Sequence, residues 1–250
     1  RDLLPGAGLG GMADLGATFS GTGKTMEALV ASLSGSGTAR VAGLELPGVD
    51  ADALAALIER ADVEGTAIDA ARTAIFAPPL VTAGRLAAGD AEAPLSITGG
   101  IVRTPPVRVG GDKVSLTVET RGDLNEGLLA ASGSIEYAAG ADAVVGSEPS
   151  LRFSAERRAD GTLSAALDTE PLARFFTQRA LEREQARVEA MQAQLLERQR
   201  LRREARYYAA LEEQRVRAAE EQRRAAEEAQ RLLEEERRRR AEEAERRAAE

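Results

Sequence analysis

Apolar and polar residues alternate with a period of two over most of residues 11–168. Ala13, Leu15, Ala17 and Phe19 alternate with Asp14, Gly16, Thr18 and Ser20, and Val114, Leu116 and Val118 with Ser115, Thr117 and Glu119. Leu129, Ala131, Ile135 and Tyr137 fall on one side, Ser132, Ser134 and Glu136 on the other. Leu151, Phe153 and Ala155 repeat the pattern, as do Leu163, Ala165 and Leu167. This period is that of a strand with one apolar and one wet face. Between Ala39 and Leu46 the parity slips at Gly43, and a β-bulge there restores a single apolar face. The reading is an antiparallel sheet covered on one side, since an all-parallel sheet is buried on both faces and reads as unbroken apolar runs.

Turn signals separate the runs at Gly110-Gly111-Asp112, Arg121-Gly122-Asp123 and Asp160-Gly161. Two stretches change to helical spacing. Met26, Leu29, Val30 and Leu33 form one apolar stripe, and Leu54, Leu57, Ile58 and Ala61 form another, with Asp50 as its expected N-cap. Residues 66–90 fit neither period cleanly, and the Pro78-Pro79 pair is expected to break any helix there.

From Pro171 the alphabet changes to Arg, Glu and Ala with almost no Gly or Pro. Proline is tolerated in a helix's first turn, so a long helix is expected over 171–250, about 120 Å if fully helical. Leu181, Val188 and Leu195 lie seven apart with Met191 between the last two, a short seam for a partner helix or for the body over 171–209. Beyond Leu201 the seam fades. Glu213/Arg217, Glu220/Arg224, Glu227/Arg231, Glu234/Arg238, Glu235/Arg239 and Glu243/Arg247 then place a Glu four residues before an Arg, each pair contributing about 0.2–0.5 kcal/mol. A solvated helix and a disordered charged tail both fit residues 210–250. The division expected is a β-rich domain over 1–168 and a charged helical tail over 171–250.

Charge separates the two parts again. Of 33 Lys+Arg and 41 Asp+Glu, residues 171–250 hold 20 Arg and 18 Glu, leaving a net charge of −10 before them and +2 within them. An acidic body argues against a nucleic-acid partner. The chain contains neither Cys nor His, which removes thiol and imidazole chemistry, disulfides and the usual zinc ligands. No apolar run is long enough to cross a bilayer as a helix. The chain starts with Arg1, and is expected to be part of a longer protein.

One motif suggests nucleotide binding. Ser20-Gly21-Thr22-Gly23-Lys24-Thr25 follows a strand-like run and precedes a helix. A P-loop requires its first glycine five residues before the second, and Thr18 stands there. A turn leading into a short helix accounts for the same residues. Carboxylates such as Asp50, Asp52 and Asp142 suit helix capping or solvation better than acid–base work or cation binding. The glycines at Gly6–Gly11, Gly35, Gly37, Gly99 and Gly100 read as bends and close backbone approaches rather than a phosphate cradle. No catalytic, cofactor or metal residues are therefore assigned. The candidate site is the apolar face itself: Val114, Leu116, Val118, Leu129, Ile135, Leu151, Phe153 and Leu163, either an ordinary core or a trough for acyl chains.

Three stretches resemble the C-terminal region of the AsmA family of bacterial envelope proteins: LSGSGTARVAGLELPGVD (33–50), APLSITGGIVRTPPVRVGGDKVSLTVETRGDLNEGLLAASGSIEY (93–137) and PLARFFTQRALEREQARVEAMQAQLLERQRLRREARYYA (171–209). The likeness lies in the order of elements, and it covers most of residues 11–209. It implies a periplasmic part of an inner-membrane protein, anchored by a transmembrane helix upstream, acting in outer-membrane assembly. It also implies an apolar sheet trough for phospholipid, and no catalytic residues or cofactor. The Arg/Glu tail departs from the pattern and leaves a scaffolding role as the alternative. The fold expected is α+β: a mainly antiparallel, curved, groove-like sheet with short helices, followed by one long helix.

Overall fold

A computed structural model describes residues 10–248. The order is β1 (Gly10–Ser20), α1 (Met26–Ala31), β2 (Ser34–Pro47), α2 (Ala53–Glu64), α3 (Ala70–Val81), β3 (Arg85–Thr98), β4 (Ile101–Arg103), β5 (Val107–Gly110), β6 (Val114–Asp123), β7 (Leu128–Tyr137), β8 (Ser150–Arg157), β9 (Leu163–Asp168) and α4 (Glu170–Ala248). The nine strands form one open, curved antiparallel sheet in the order β1-β2-β3-β4-β6-β7-β8-β9, with β5 pairing to β6 beside β4. Most strand neighbours in sequence are neighbours in space; short turns join β3 to β4, β6 to β7 and β8 to β9, whereas α1 lies between β1 and β2, and α2 and α3 between β2 and β3. The expected α+β class is what the chain adopts.

The bulge at Gly43 is present. The β2–β3 register shifts between Val41 and Leu44, Gly43 has φ +61°, and its N–H donates to Asp90 Oδ1 at 2.9 Å. Gly133 in β7 is needed for closeness instead. A Cβ there would lie 1.9 Å from the Thr117 carbonyl oxygen in β6. Gly6 and Gly8 lie outside the described residues.

Three local expectations are corrected. Arg121-Gly122-Asp123 is strand rather than turn, because β6 stays paired on both sides through Asp123. The turn follows it, with Asp123 Oδ1 accepting the N–H groups of Asn125 at 3.1 Å and Glu126 at 3.4 Å. The N-cap position of α2 is Asp52, not Asp50. Asp50 Oδ1 accepts the Asp52 N–H at 2.9 Å in the preceding turn. Pro78 and Pro79 lie inside α3. They occupy its last turn, and the i−4 carbonyls they leave without a donor belong to Ala74 and Ile75, which are solvent-exposed. Packing of Ala77 and Val81, both 0% exposed, holds the turn in place.

The chain divides into two compact units, residues 1–185 and 186–250. In the first, α2, α3 and the opening turns of α4 pack on one sheet face. The core joins Ala53, Leu57, Ile58 and Ala61 of α2, Ala77 and Val81 of α3, and Leu172, Phe175 and Phe176 of α4 to strand residues. Phe175 and Phe176 meet edge-on with centroids 5.6 Å apart, and Phe76 lies 6.1 Å from Phe176. The body therefore extends to Gln185, past the change of sequence character at Pro171. Burying these two Phe rings and Leu172 contributes several kcal/mol to fixing the helix start.

The second unit is the continuation of α4. Val188, Met191, Leu195, Leu196, Leu201, Tyr207 and Tyr208 are exposed along it. The expected Glu213–Arg217 pair forms at 3.6 Å, and Arg200 contacts Glu197 at 3.0 Å and Glu204 at 3.6 Å. Residues 210–248 are helical.

Candidate functional site

The strand registers arrange the apolar face in rows that cross the sheet. The outermost row reads Phe19, Gly35, Ile97, Val102, Gly122, Leu129, Arg157 and Leu163, each directly opposite the next. At about 4.8 Å per strand it is roughly 34 Å wide. The second row includes Ala17, Gly37 and Leu95 on one side and Thr120, Ala131, Ala155 and Ala165 on the other. The third includes Leu15, Ala39 and Ala93, then Val107, Val118, Gly133, Phe153 and Leu167. The fourth includes Leu116, Ile135 and Leu151.

The helices cover this face at one end. Val114, Leu116, Ile135 and Leu151 are at most 4% exposed and belong to the same core cluster as α2, α3 and α4. These four predicted site residues form a sealed core. Val118 and Phe153 are half-buried and pack against its edge. Leu163 is half-buried and Leu129 is 55% exposed, both in the outermost row. The predicted set is thus split: half core, half border and open end. Sequence reasoning missed the rest of the open end, namely Leu95, Ile97 and Val102, all half-buried, and it read Phe19 and Leu15 as strand residues without assigning them to the site. The alternation of Ala91, Ala93, Leu95 and Ile97 with Glu92, Pro94, Ser96 and Thr98 was the available signal.

The sealed end is fastened by polar contacts. Arg179 of α4, whose side chain is only 14% exposed, donates to Asp142 from Nη2 at 2.7 Å and Nε at 3.2 Å, and also to Asp62 of α2. Arg183 pairs with Asp62 as well. Partial burial opposes ionisation of Asp62, but hydrogen bonds from Arg183 and Arg179 outweigh it and hold its carboxyl below the ordinary range. Tyr137 donates its hydroxyl to the Asp50 carbonyl at 3.1 Å, and burial pushes its pKa up. Gln178 reaches the Val145 carbonyl at 2.7 Å. All these contacts lie at the covered end, leaving the outer rows free of α4 up to Gln185.

The other sequence candidates have local partners. Thr25 is the N-cap of α1, its Oγ1 accepting the Ala28 N–H at 3.2 Å. The Thr22 N–H is bound by Ser32 Oγ at 2.7 Å, and a Cβ on Gly23 would lie 2.3 Å from the Leu29 nitrogen. The loop closes on α1 rather than around a phosphate-sized space. Asp52 pairs with Lys113 at 2.5 Å, and Asp142 with Arg179. Among the described residues, no group of three Asp, Glu, His or Cys is placed to hold a metal ion, and no helix is long and apolar enough to cross a membrane. No protein-family model, curated protein or solved structure matches the chain.

Proposed function

We propose that this chain is a non-enzymatic module that holds lipid acyl chains on the uncovered end of its apolar sheet face. One observation carries the reading. The row from Phe19 to Leu163 is apolar across almost the whole sheet, and the helices that seal the fourth row do not cover it. Soluble proteins rarely leave so broad a strip of aliphatic surface without an occupant. The resemblance to the AsmA family supplies the setting: the periplasmic side of the bacterial inner membrane, an anchor upstream, and a role in outer-membrane assembly with phospholipid as the cargo.

The direct test is lipid extracted from the purified chain and identified by mass spectrometry, together with binding of a phospholipid carrying an environment-sensitive acyl probe. Leu129→Asp is expected to abolish binding while the body stays folded, because Leu129 is more than half exposed. Leu116 and Ile135 cannot serve this purpose, since a carboxylate in the sealed core unfolds the body. Absence of both co-purified lipid and probe binding would refute the reading.

A scaffolding role is favoured by a different observation, the exposed seam of Leu181, Val188, Met191 and Leu195 on α4. Val188→Glu with Leu195→Glu separates the two. Lipid binding survives that pair of changes, whereas helix-mediated assembly does not.

A further inference from the structure

Of the residues in the three outer rows, Arg157 alone carries a charge. It ends β8, directly opposite Leu129 of β7 and Leu163 of β9, so its side chain leaves the sheet on the apolar face between two leucines. It is exposed, and among the described residues its guanidinium has no hydrogen-bond or ion-pair partner. The neighbouring acid Glu156 projects from the opposite face and binds Arg158 at 3.2 Å. The body as a whole is acidic, which makes a lone guanidinium on this apolar face the more distinctive.

We infer that Arg157 locates the anionic headgroup of a bound amphiphile whose chain lies across the outer rows. This rests on the acyl-binding reading above and adds the ligand's charge and orientation. A guanidinium presents paired donors that match a carboxylate or phosphate oxygen pair. The row position places those donors at the rim, with Leu129 and Leu163 beside them and Ala131, Ala155, Ala165 and Phe153 further along the same face. An amphiphile with its anion on Arg157 has only uncharged surface ahead of its chain. An uncharged amphiphile has the same surface but nothing to fix its end. The shared chemistry is an oxyanion attached to a hydrocarbon, whether a fatty acid or the phosphate of a phospholipid.

The experiment uses the whole chain and three dansyl probes: dansyl-undecanoic acid, its uncharged primary amide, and dansylglycine, which has the carboxylate without the chain. The expected result is that the acid binds about tenfold more tightly than the amide, the scale of one charge-assisted contact at a wet rim. Arg157→Gln lowers affinity for the acid to that for the amide, leaves the amide unchanged and leaves the melting temperature unchanged. Arg157→Lys retains part of the preference. Competition by dodecyl phosphate but not by inorganic phosphate then assigns the site to an amphiphile. Equal affinity for acid and amide, unmoved by Arg157→Gln, overturns the inference and leaves hydrocarbon binding standing; Arg157 then only extends its stem over the leucines. No binding of either long-chain probe overturns the proposed function and the inference together. Dansylglycine binding as tightly as the long acid identifies a site for the anion or dye and overturns both.

Discussion

Replacing Leu151 and Leu129 by alanine applies one chemical change to the two ends of one sheet face. Leu151 is 0% exposed and belongs to the core cluster that includes Phe175 and Phe176. Its truncation removes buried methyl groups and leaves a cavity that the helices above close only in part, at a cost of about 3 kcal/mol. Leu129 is 55% exposed, so less than half its transfer free energy is lost and no cavity forms, a cost of about 1 kcal/mol at most. For a unit of this size, each kcal/mol lowers the melting temperature by about 2–4 °C. Leu151→Ala is therefore expected to lower it by roughly 6–12 °C, and Leu129→Ala by no more than about 4 °C. The assay should be differential scanning calorimetry of the body transition. Ellipticity at 222 nm is unsuitable because the 79-residue α4 dominates it. Equal shifts for the two variants would refute the division of the face into sealed and open ends.

Phe175→Ala is expected to cost about 3–5 kcal/mol, because the ring is fully buried, and to loosen the junction of α4 with the sheet, read as faster amide hydrogen exchange over residues 172–183. Gly133→Ala should destabilise the body by more than about 1 kcal/mol, since the new methyl would meet the Thr117 carbonyl rather than a movable side chain; an unchanged melting temperature would contradict the strand spacing. Asp62 has its pKa lowered in the fold, so its contribution is complete above the ordinary carboxylate pKa and is lost as pH falls through the lower folded value. Asp62→Asn should thus be destabilising at pH 7 and should flatten the loss of stability that wild type shows on acidification below about pH 4. A parallel offset at all pH values would contradict the Arg179–Asp62–Arg183 linkage.

Much of the fold was legible because strand alternation and helical spacing are local signals. Leu129, Ile135 and Tyr137, read as one face of a strand, do share a face in β7, and the slip at Gly43 marked a real bulge. What was not legible depended on neighbours. The Arg121-Gly122-Asp123 turn failed because β4 and β7 hold those residues in a ladder whose existence no local pattern announces. The Pro78-Pro79 break failed because both prolines fall in a last turn whose orphaned carbonyls face water and whose Ala77 and Val81 are clamped from below.

The sequence by itself determined that there is a wet and an apolar side to the sheet, where most strands and the long helix run, and that no thiol or imidazole is present. It did so because a period of two or of 3.6 is written in consecutive residues. Only the tertiary structure decided which leucines are core and which are surface, since Leu116 and Leu129 obey the same alternation and differ only in whether a helix from a distant stretch of chain lies over them. It likewise decided that Arg157, which the alternation of Leu151, Phe153 and Ala155 already puts on the apolar side, lies between Leu129 and Leu163 at the uncovered end, since that depends on pairing with β7 and β9.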